Sequence, residues 1–406
     1  METQTPHLVS VAGGCGPYKN IREALNRLDL TPFKDKRVLV KPNAGRRVEA
    51  SRGITTHPEA VAAVVDALRE AGAAVVAIGE SPILGVKTME AFEISGIAAI
   101  AKERNVPLID MDRRRAVIKE VPDGRVLETL RFCADIYDFD AIVSVPVTKS
   151  HMHTQVTLGI KNMKGCLWRH EKVRLHQLQY KQGVYFPEKT LDSAISDLAT
   201  LLLPDLTVVD GYLGMEGLGP SAGEGIVSDF AVASFNPLAA DKTACELMGF
   251  DFEEVVHLRL IRDRAICTVD SATVAPDDFR KFGKTYKKSP TKLDIEFPNV
   301  IVHDKGSCSA CLSTTLLFLK RFADELGDYV LQDVKINIGI GKDIQDFTKG
   351  NLLIGNCTSP HKRQGLFVPG CPPVSSKIFK ALTGVEPETN EPDVETVPGE
   401  SGEKAD

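Results

Sequence analysis

An α/β fold, with a mostly parallel sheet flanked by helices and a smaller C-terminal α/β iron–sulfur domain, is what this 406-residue sequence predicts. Three observations carry that prediction. Over the first two thirds, short β-rich runs alternate with helical patterns, as they do when helices connect parallel strands. Proline opens, and glycine closes, several of the helical stretches. A basic, proline-interrupted stretch then separates this region from a shorter strand–helix alternation that contains four cysteines.

The elements follow in order. RVLVKP (37–42) reads as a buried strand, and HPEAVAAVVDALREAG (57–72) as a helix, with Pro58 in its first turn and Gly72 at its stop. AAVVAIGES (73–81) is the next strand, AFEISGIAAIAKERN a helix and VPLID (106–110) a short strand. AIVSVPVTK (141–149) is a strand that runs into a polar loop. LDSAISDLATLLL (191–203) is helical, LTVVDG (206–211) a strand, and DGYLGMEGLGPSAGEG (210–225) a glycine-rich loop. FAVASFN (230–236) leads into a helix with Asn236 as N-cap and Pro237 at its first position. Residues 1–280 form the first domain on this reading and 281–297 a linker. Residues 298–385 form the cysteine-rich domain: strand VIVHD (300–304), helix CLSTTLLFLKRFADEL, strands VKINIGIG (334–341) and NLLIG (351–355), and a final short helix. The acidic stretch 386–406 lacks apolar periodicity and reads as a disordered tail.

Composition narrows the function. A hydrophobic share of 43% and a charged share of 26% suit a soluble globular protein. A formal net charge of -6 argues against nonspecific nucleic-acid binding and leaves room for a local basic pocket. No apolar run is long enough to cross a bilayer. METQTPHLVS lacks the charged start and apolar core of a signal peptide, so a cytoplasmic location is expected. That compartment keeps thiols reduced, so the nine cysteines point to metal or redox chemistry rather than structural disulfides. The sequence carries no expectation of oligomeric state.

Cys308, Cys311, Cys357 and Cys371 form the candidate metal set. Cys308 and Cys311 make a C-x2-C pair at the start of a helix, where two cysteines three apart point the same way and the helix N-terminus favours thiolates. Cys357 follows a strand, and Cys371 sits in PGCPP, with thirteen residues between the two. A zinc ribbon would use a second C-x2-C knuckle, whereas a [4Fe–4S] cubane accepts scattered donors, and a proline directly after a ligand occurs in ferredoxin-type runs. A [4Fe–4S] cluster is therefore the expected cofactor, with zinc as the alternative and unliganded reduced cysteines as the plain reading. Cys15, Cys133, Cys166, Cys245 and Cys267 are dispersed, and Cys245 reads as core.

A second constellation lies at the strand ends. SVPVTKSHMHTQVTLGIKNMKGCLWRH (144–170) delivers Lys149, His151 and His153 and then Thr157, Lys161, Asn162 and Lys164. Lys41, Asn43 and Arg46 follow an earlier strand, ESP (80–82) follows the next, and Asp210 and Glu216 belong to the glycine-rich stretch. Such cationic and hydrogen-bonding groups at a sheet's edge suit a phosphate or carboxylate. A solvated basic loop is the competing reading. His151 and His153 would face the same way on extended backbone, as an acid–base or a metal-binding pair. The glycine-rich stretch has neither a Walker pattern nor a dinucleotide fingerprint. Asp241 reads as a partner of its own helix dipole.

Taken together, VLVKPN, HPEAVAAVVDALREAGA, SVPVTKSHMHTQVTLGIKNMKG, VVDGYLGMEGLGP and NPLAADKTACELMG resemble the family called domain of unknown function 362, over roughly residues 37 to 250. Lys149, His151, Thr157, Lys161, Asn162 and Gly165 match its K-x-H…T-x-G-x-K-N-x-x-G block. The resemblance implies an α/β fold and, in many members, ferredoxin-like iron–sulfur cysteines; this sequence lacks the tandem C-x2-C-x2-C run, so one cluster is implied, and it carries Asn236 where an Asp is commoner. A looser similarity runs to nickel-dependent lactate racemases. The expected function is an iron–sulfur redox enzyme, reductase-type, acting on an anionic small molecule between the two domains. Lys149, Lys161, His151 and His153 would be catalytic, and a redox partner protein would supply electrons. A racemase-like acid–base enzyme and a non-catalytic electron-transfer protein are the alternatives.

Overall fold

The structure, a computed structural model, describes residues 7–178, 180, 186–221, 223–270, 272–289, 300–307, 309–326, 336–345, 351–370, 372–373 and 375–385. The chain divides into two units, Met1–Ser289 and Pro290–Asp406.

The strands of the first unit are β1 (Leu8–Gly13), β2 (Arg37–Pro42), β3 (Val75–Glu80), β4 (Leu108–Asp110), β5 (Ala116–Glu120), β6 (Thr129–Cys133), β7 (Ala141–Val145), β8 (Val147–His151), β9 (Gln155–Thr157), β10 (Leu206–Glu216), β11 (Glu224–Ser234) and β12 (Thr273–Ala275). Ten of them form one sheet, with the order β12-β1-β11-β10-β7-β2-β3-β4 and with β8 and β9 branching from β10. From β10 to β4 every neighbouring pair is parallel. β11 runs against both β10 and β1. Alternation along β2 sends Val38 and Val40 into the apolar core on one face and Leu39 into the core on the other. Helices cover both faces, as the strand–helix alternation predicts.

Several elements differ from expectation. The run 141–149 is two strands: Pro146 has no N–H to give a sheet, β7 ends before it, and β8 shifts to pair with β10 and then with β9. The stretch AFEISGIAAIAKERN is two helices, Thr88–Ile94 and Ile97–Glu103, divided at Gly96 with φ 83°. The glycine-rich stretch is largely not a loop. β10 continues to Glu216 and pairs with β11 as a long hairpin, and a Cβ on Gly211 would lie 2.4 Å from the Phe230 ring, so glycine is needed for packing there. The first unit also runs to Ser289, so the front of the expected linker belongs to it. Tyr286 is buried, with its hydroxyl 2.8 Å from Thr148 Oγ1 and 2.9 Å from Ser228 Oγ. The rest of the linker, 290–297, and the acidic tail, 386–406, lie outside the described residues.

The second unit holds a four-stranded parallel sheet in sequential order: β13 (Val300–Asp304), β14 (Ile336–Ile340), β15 (Asn351–Ile354) and β16 (Gly365–Val368). The helices Ser309–Leu326 and Ser375–Thr383 pack together through Phe322 and Phe379, whose ring centroids are 4.4 Å apart. β16 was not predicted. It is four residues long and sits among the turn formers of the Cys357–Cys371 stretch.

Candidate functional site

The parallel strands β2, β3 and β7 of the first unit end at one edge of the sheet, and the polar residues gather there. Lys41 is completely buried, and its Nζ lies 2.8 Å from Glu80 Oε2, 2.7 Å from Pro42 O and 3.2 Å from Asn162 Oδ1. Glu80 also accepts from Ala44 N and Ser81 N, each at 2.9 Å, so its carboxylate is fully used. Gly165 lies against this pair. A Cβ there would fall 2.2 Å from Glu80 Oε1 and 2.5 Å from Lys41 Nζ.

Asn162 joins the strand ends. It donates to Lys41 O and Ser144 Oγ, each at 3.1 Å, and accepts from Asn43 Nδ2 at 3.0 Å. Its short helix, Gly159–Asn162, is capped by a residue from far along the chain: Asp241 accepts Gly159 N at 2.7 Å and Ile160 N at 2.9 Å. Asp241 therefore holds the polar loop rather than only complementing its own helix. Burial pushes its carboxyl up to about 7, against the pull of those two backbone donors. Asn236 caps its helix as expected, accepting Ala239 N at 2.9 Å.

Lys149 donates to Asn43 Oδ1 and to Ile54 O, each at 2.7 Å. It stands opposite Thr157 in the β8–β9 pair, and Thr157 Oγ1 accepts from Lys161 Nζ at 3.2 Å. Burial first, and then the neighbouring Arg46 and Lys41, push the Lys149 ammonium down to about 7, with Glu80 opposing. Burial and the charges of Lys164 and Lys149 hold Lys161 well below the usual lysine range. Arg46 keeps some solvent contact, yet the surrounding protein pushes its guanidinium down to about 10. Among the described residues Arg46, Lys149 and Lys161 make no ion pair, and Arg46 makes no hydrogen bond. Lys164 Nζ lies 2.8 Å from His176 Nε2, a residue outside every predicted motif.

The histidines are not on one extended segment. The chain turns directly after His151, and His151 Nδ1 accepts from His153 N at 3.1 Å and Thr154 N at 3.4 Å. The ring centroids nevertheless stay 6.3 Å apart. With Nδ1 engaged, the neutral His151 ring carries its proton on Nε2, which makes it a donor. Burial and the nearby Lys161 keep it neutral, with its pKa well below the ordinary histidine value.

Asp210 and Glu216 accept backbone N–H groups: Asp210 from His57 at 2.7 Å and Tyr212 at 3.1 Å, Glu216 from Lys287 at 2.9 Å. Asp210 thereby fixes the entry to the helix Pro58–Glu70, and burial pushes its carboxyl up to about 6. Glu216 ties the segment around Tyr286 to the hairpin.

Asp241 and His176 belong to the cluster without having been assigned to it; they come from other elements and carry no local signal, whereas Glu80 and Gly165 stand in segments the sequence already marks, the end of the strand 73–81 and the K-x-H…T-x-G-x-K-N-x-x-G block.

In the second unit, Cys308 and Cys371 lie outside the described residues. Cys311 is buried, and Cys357 follows β15 in the short helix Asn356–His361. The Cys311 sulfur lies 2.8 Å from where a Cβ on Gly355 would stand, so the absence of a side chain at Gly355 (φ 94°) makes room for it. Asn356 N donates to Gly370 O at 2.9 Å, and Gly370 N to Asn356 Oδ1 at 2.8 Å, which ties the loop after β15 to the loop after β16. Among the described residues no three His, Cys, Asp or Glu side chains gather as a metal site. Among them, too, no helix is long and apolar enough to cross a membrane. Of the dispersed cysteines, Cys133, Cys166 and Cys245 are buried, Cys267 is half-buried and Cys15 is exposed. Burial pushes the Cys166 thiol up to about 12, so it is a poor nucleophile although it lies near Lys41.

Comparison with known proteins bears on this arrangement. The family described as "Domain of unknown function (DUF362)" matches residues 38–246. A thylakoid-associated protein of Synechocystis sp. is 29% identical over 215 residues, a span covering 53% of this chain and 64% of that protein. The chain thus matches less than two thirds of that relative's length. Among solved structures, the lactate racemase apoprotein of Thermoanaerobacterium thermosaccharolyticum aligns with 14% identity and a TM-score of 0.39, over 60% of this chain and 57% of that one. A Thermotoga maritima protein aligns with 20% identity and a TM-score of 0.37, over 58% and 60%.

Proposed function

The chain belongs to the DUF362 family, whose function is unknown, and on that premise we propose that it is an enzyme that binds an anionic small molecule against Arg46, Lys149 and Lys161. One observation carries the proposal. The buried Lys149 and Lys161 and the partly exposed Arg46 have no carboxylate within ion-pair distance among the described residues, although Lys41, beside them, has one. Buried charge without a counter-ion is costly, and an anionic ligand removes that cost. Asn43, Thr157, Asn162 and Lys164 would orient the ligand. His151 would give a proton from Nε2, and Lys149, whose ammonium titrates near neutrality, would take one up. His153 would flank them. Asp210 and Glu216 would act through the backbone they hold.

The redox part of the proposal concerns the second unit. Cys308, Cys311, Cys357 and Cys371 would hold a [4Fe–4S] cluster, or zinc as the alternative. The space left at Gly355 for the Cys311 sulfur, and the tie between the loops after β15 and β16, support a thiolate-lined site. Such a cluster, when bound, supplies electrons one at a time, which makes the enzyme reductase-type. A redox partner protein would be the electron source, and a cytoplasmic setting with reduced thiols would suit the cluster.

A second reading rests on His151 and Lys149 alone: an acid–base isomerase whose cysteines are structural. A simple electron carrier has no use for the buried cations and is disfavoured. Anaerobic purification with iron, sulfide and zinc analysis separates these readings. The reductase reading expects about four iron and four sulfide per chain, visible colour bleached by dithionite, and loss of that colour in Cys311→Ser and Cys357→Ser. A colourless zinc protein would overturn the redox part and leave the isomerase reading.

A further inference from the structure

The cluster's unused donors say what kind of anion it takes. Arg46 has five N–H groups, and among the described residues none of them is hydrogen-bonded. Lys161 gives one of its three N–H groups, to Thr157 Oγ1 at 3.2 Å. Lys149 gives two, to Asn43 and Ile54, and so keeps one. Thr157 links the two lysines: it stands opposite Lys149 in the β8–β9 pair, and its hydroxyl accepts from Lys161 Nζ. Arg46 lies three residues beyond Asn43, the residue that Lys149 grips. The nearby carboxylates favour this charge only from a distance, Glu80 that of Lys149 and Asp192 that of Lys161, and none forms an ion pair with it among the described residues. Glu80 is paired with Lys41, Asp241 is taken by two backbone N–H groups, and Asp192 lies 3.6 Å from His257 Nδ1.

A single carboxylate brings one negative charge and a planar pair of oxygens. The Arg46 fork would satisfy it alone and leave both lysines as they are. A phosphoryl group brings up to two charges and three oxygens that accept donors from several directions. We infer that the anion bound here is a dianionic phosphoryl group, carried either by free phosphate or by a small phosphate monoester. This inference rests on the anion site proposed above and names its ligand class.

Calorimetric titration of the full chain at neutral pH tests it, with sulfate, inorganic phosphate, glycerol phosphate and acetate as probes. Sulfate and phosphate are expected to bind at least about tenfold more tightly than acetate. Glycerol phosphate binding more tightly than phosphate identifies a monoester as the source; the reverse identifies free phosphate. Arg46→Gln should weaken phosphate about tenfold or more, and Lys161→Met likewise. Lys87→Ala, an exposed residue paired with Glu90, should change nothing. Because Lys161 is buried and its variant can fail to fold, the partly exposed Arg46 carries the test. Acetate binding as tightly as phosphate, or Arg46→Gln leaving phosphate affinity unchanged, overturns the inference while the anion site stands. If no anion binds, the anion-site proposal falls and this inference falls with it.

Discussion

Lys41 Nζ and Glu80 Oε2 lie 2.8 Å apart with both side chains shut away from solvent, at the ends of adjacent parallel strands. Removing one member of such a pair strands the other. Glu80→Gln should therefore destabilise the first unit by about 3–5 kcal/mol. Lys41→Met combined with Glu80→Gln should recover part of that loss, because no buried charge remains. Denaturant unfolding of the two single variants and the double variant checks this. Additive losses would mean that the pair is not coupled.

Gly165 completes the same arrangement. A Cβ 2.2 Å from Glu80 Oε1 cannot be accommodated without moving the ion pair. Gly165→Ala should cost about 3 kcal/mol, which lowers the melting temperature by roughly 5 °C for a unit of this size. A melting curve matching the wild type would show that the loop yields freely.

These relationships were legible in part. Lys41, Asn43, Lys149, Thr157, Lys161 and Asn162 were readable because strand ends in a parallel sheet converge, and each sits just inside or beyond an apolar run. Asp241 was not, since a cap on another helix is a long-range contact that local spacing does not encode. Gly211 and Gly214 misled in a physical way. Glycine usually marks turns, but here a Cβ would meet the Phe230 ring at Gly211, and Thr148 and the Tyr286 hydroxyl at Gly214. Pairing partners, rather than the glycines themselves, decided that this stretch is strand. Tyr286 was hidden by basic, proline-flanked surroundings that resemble a linker in composition alone.

Lys149 makes stability and ligand binding depend on pH in predictable directions. Its folded pKa, about 7, is depressed from the model-peptide 10.5. The stability it contributes is full above about 10.5 and is lost as pH falls toward 7, where the unfolded chain binds the proton more readily. Without ligand, stability should rise with pH across that window, and Lys149→Met should reduce the rise without abolishing it, because Lys161 is also held well below the usual lysine range. A bound anion favours the charged form, so sulfate affinity should fall as pH rises above about 7, by up to about tenfold per unit for one proton. Titrations at several pH values check this, and an affinity independent of pH would exclude proton uptake by Lys149.

Asp241 acts in the opposite direction. Its carboxyl is raised from 3.8 to about 7, so the stability it contributes is full below about 3.8 and lost as pH rises through 7. Asp241→Asn should reduce the fall of stability between these values without abolishing it, because Asp210, raised to about 6, contributes over part of the same window. The amide can accept one of the two backbone donors well, so a loss of about 1–3 kcal/mol at low pH is also expected. Urea unfolding at intervals across this range reads both effects.

His151 gives a spectroscopic test of the proton-donor role. Its Nδ1 accepts from His153 N and Thr154 N, which places the ring proton on Nε2, and burial with the nearby Lys161 disfavours the imidazolium. Nitrogen-15 NMR of labelled protein should therefore show one neutral tautomer, protonated at Nε2, persisting at pH values well below the ordinary histidine range. Thr154→Pro would remove one of the two backbone donors, and the tautomer population should shift toward Nδ1–H only if that hydrogen bond contributes. A ring protonated at Nδ1 in the wild type, or charged at neutral pH, would remove His151 as an Nε2 donor and leave Lys149 and Lys161 to move the proton alone.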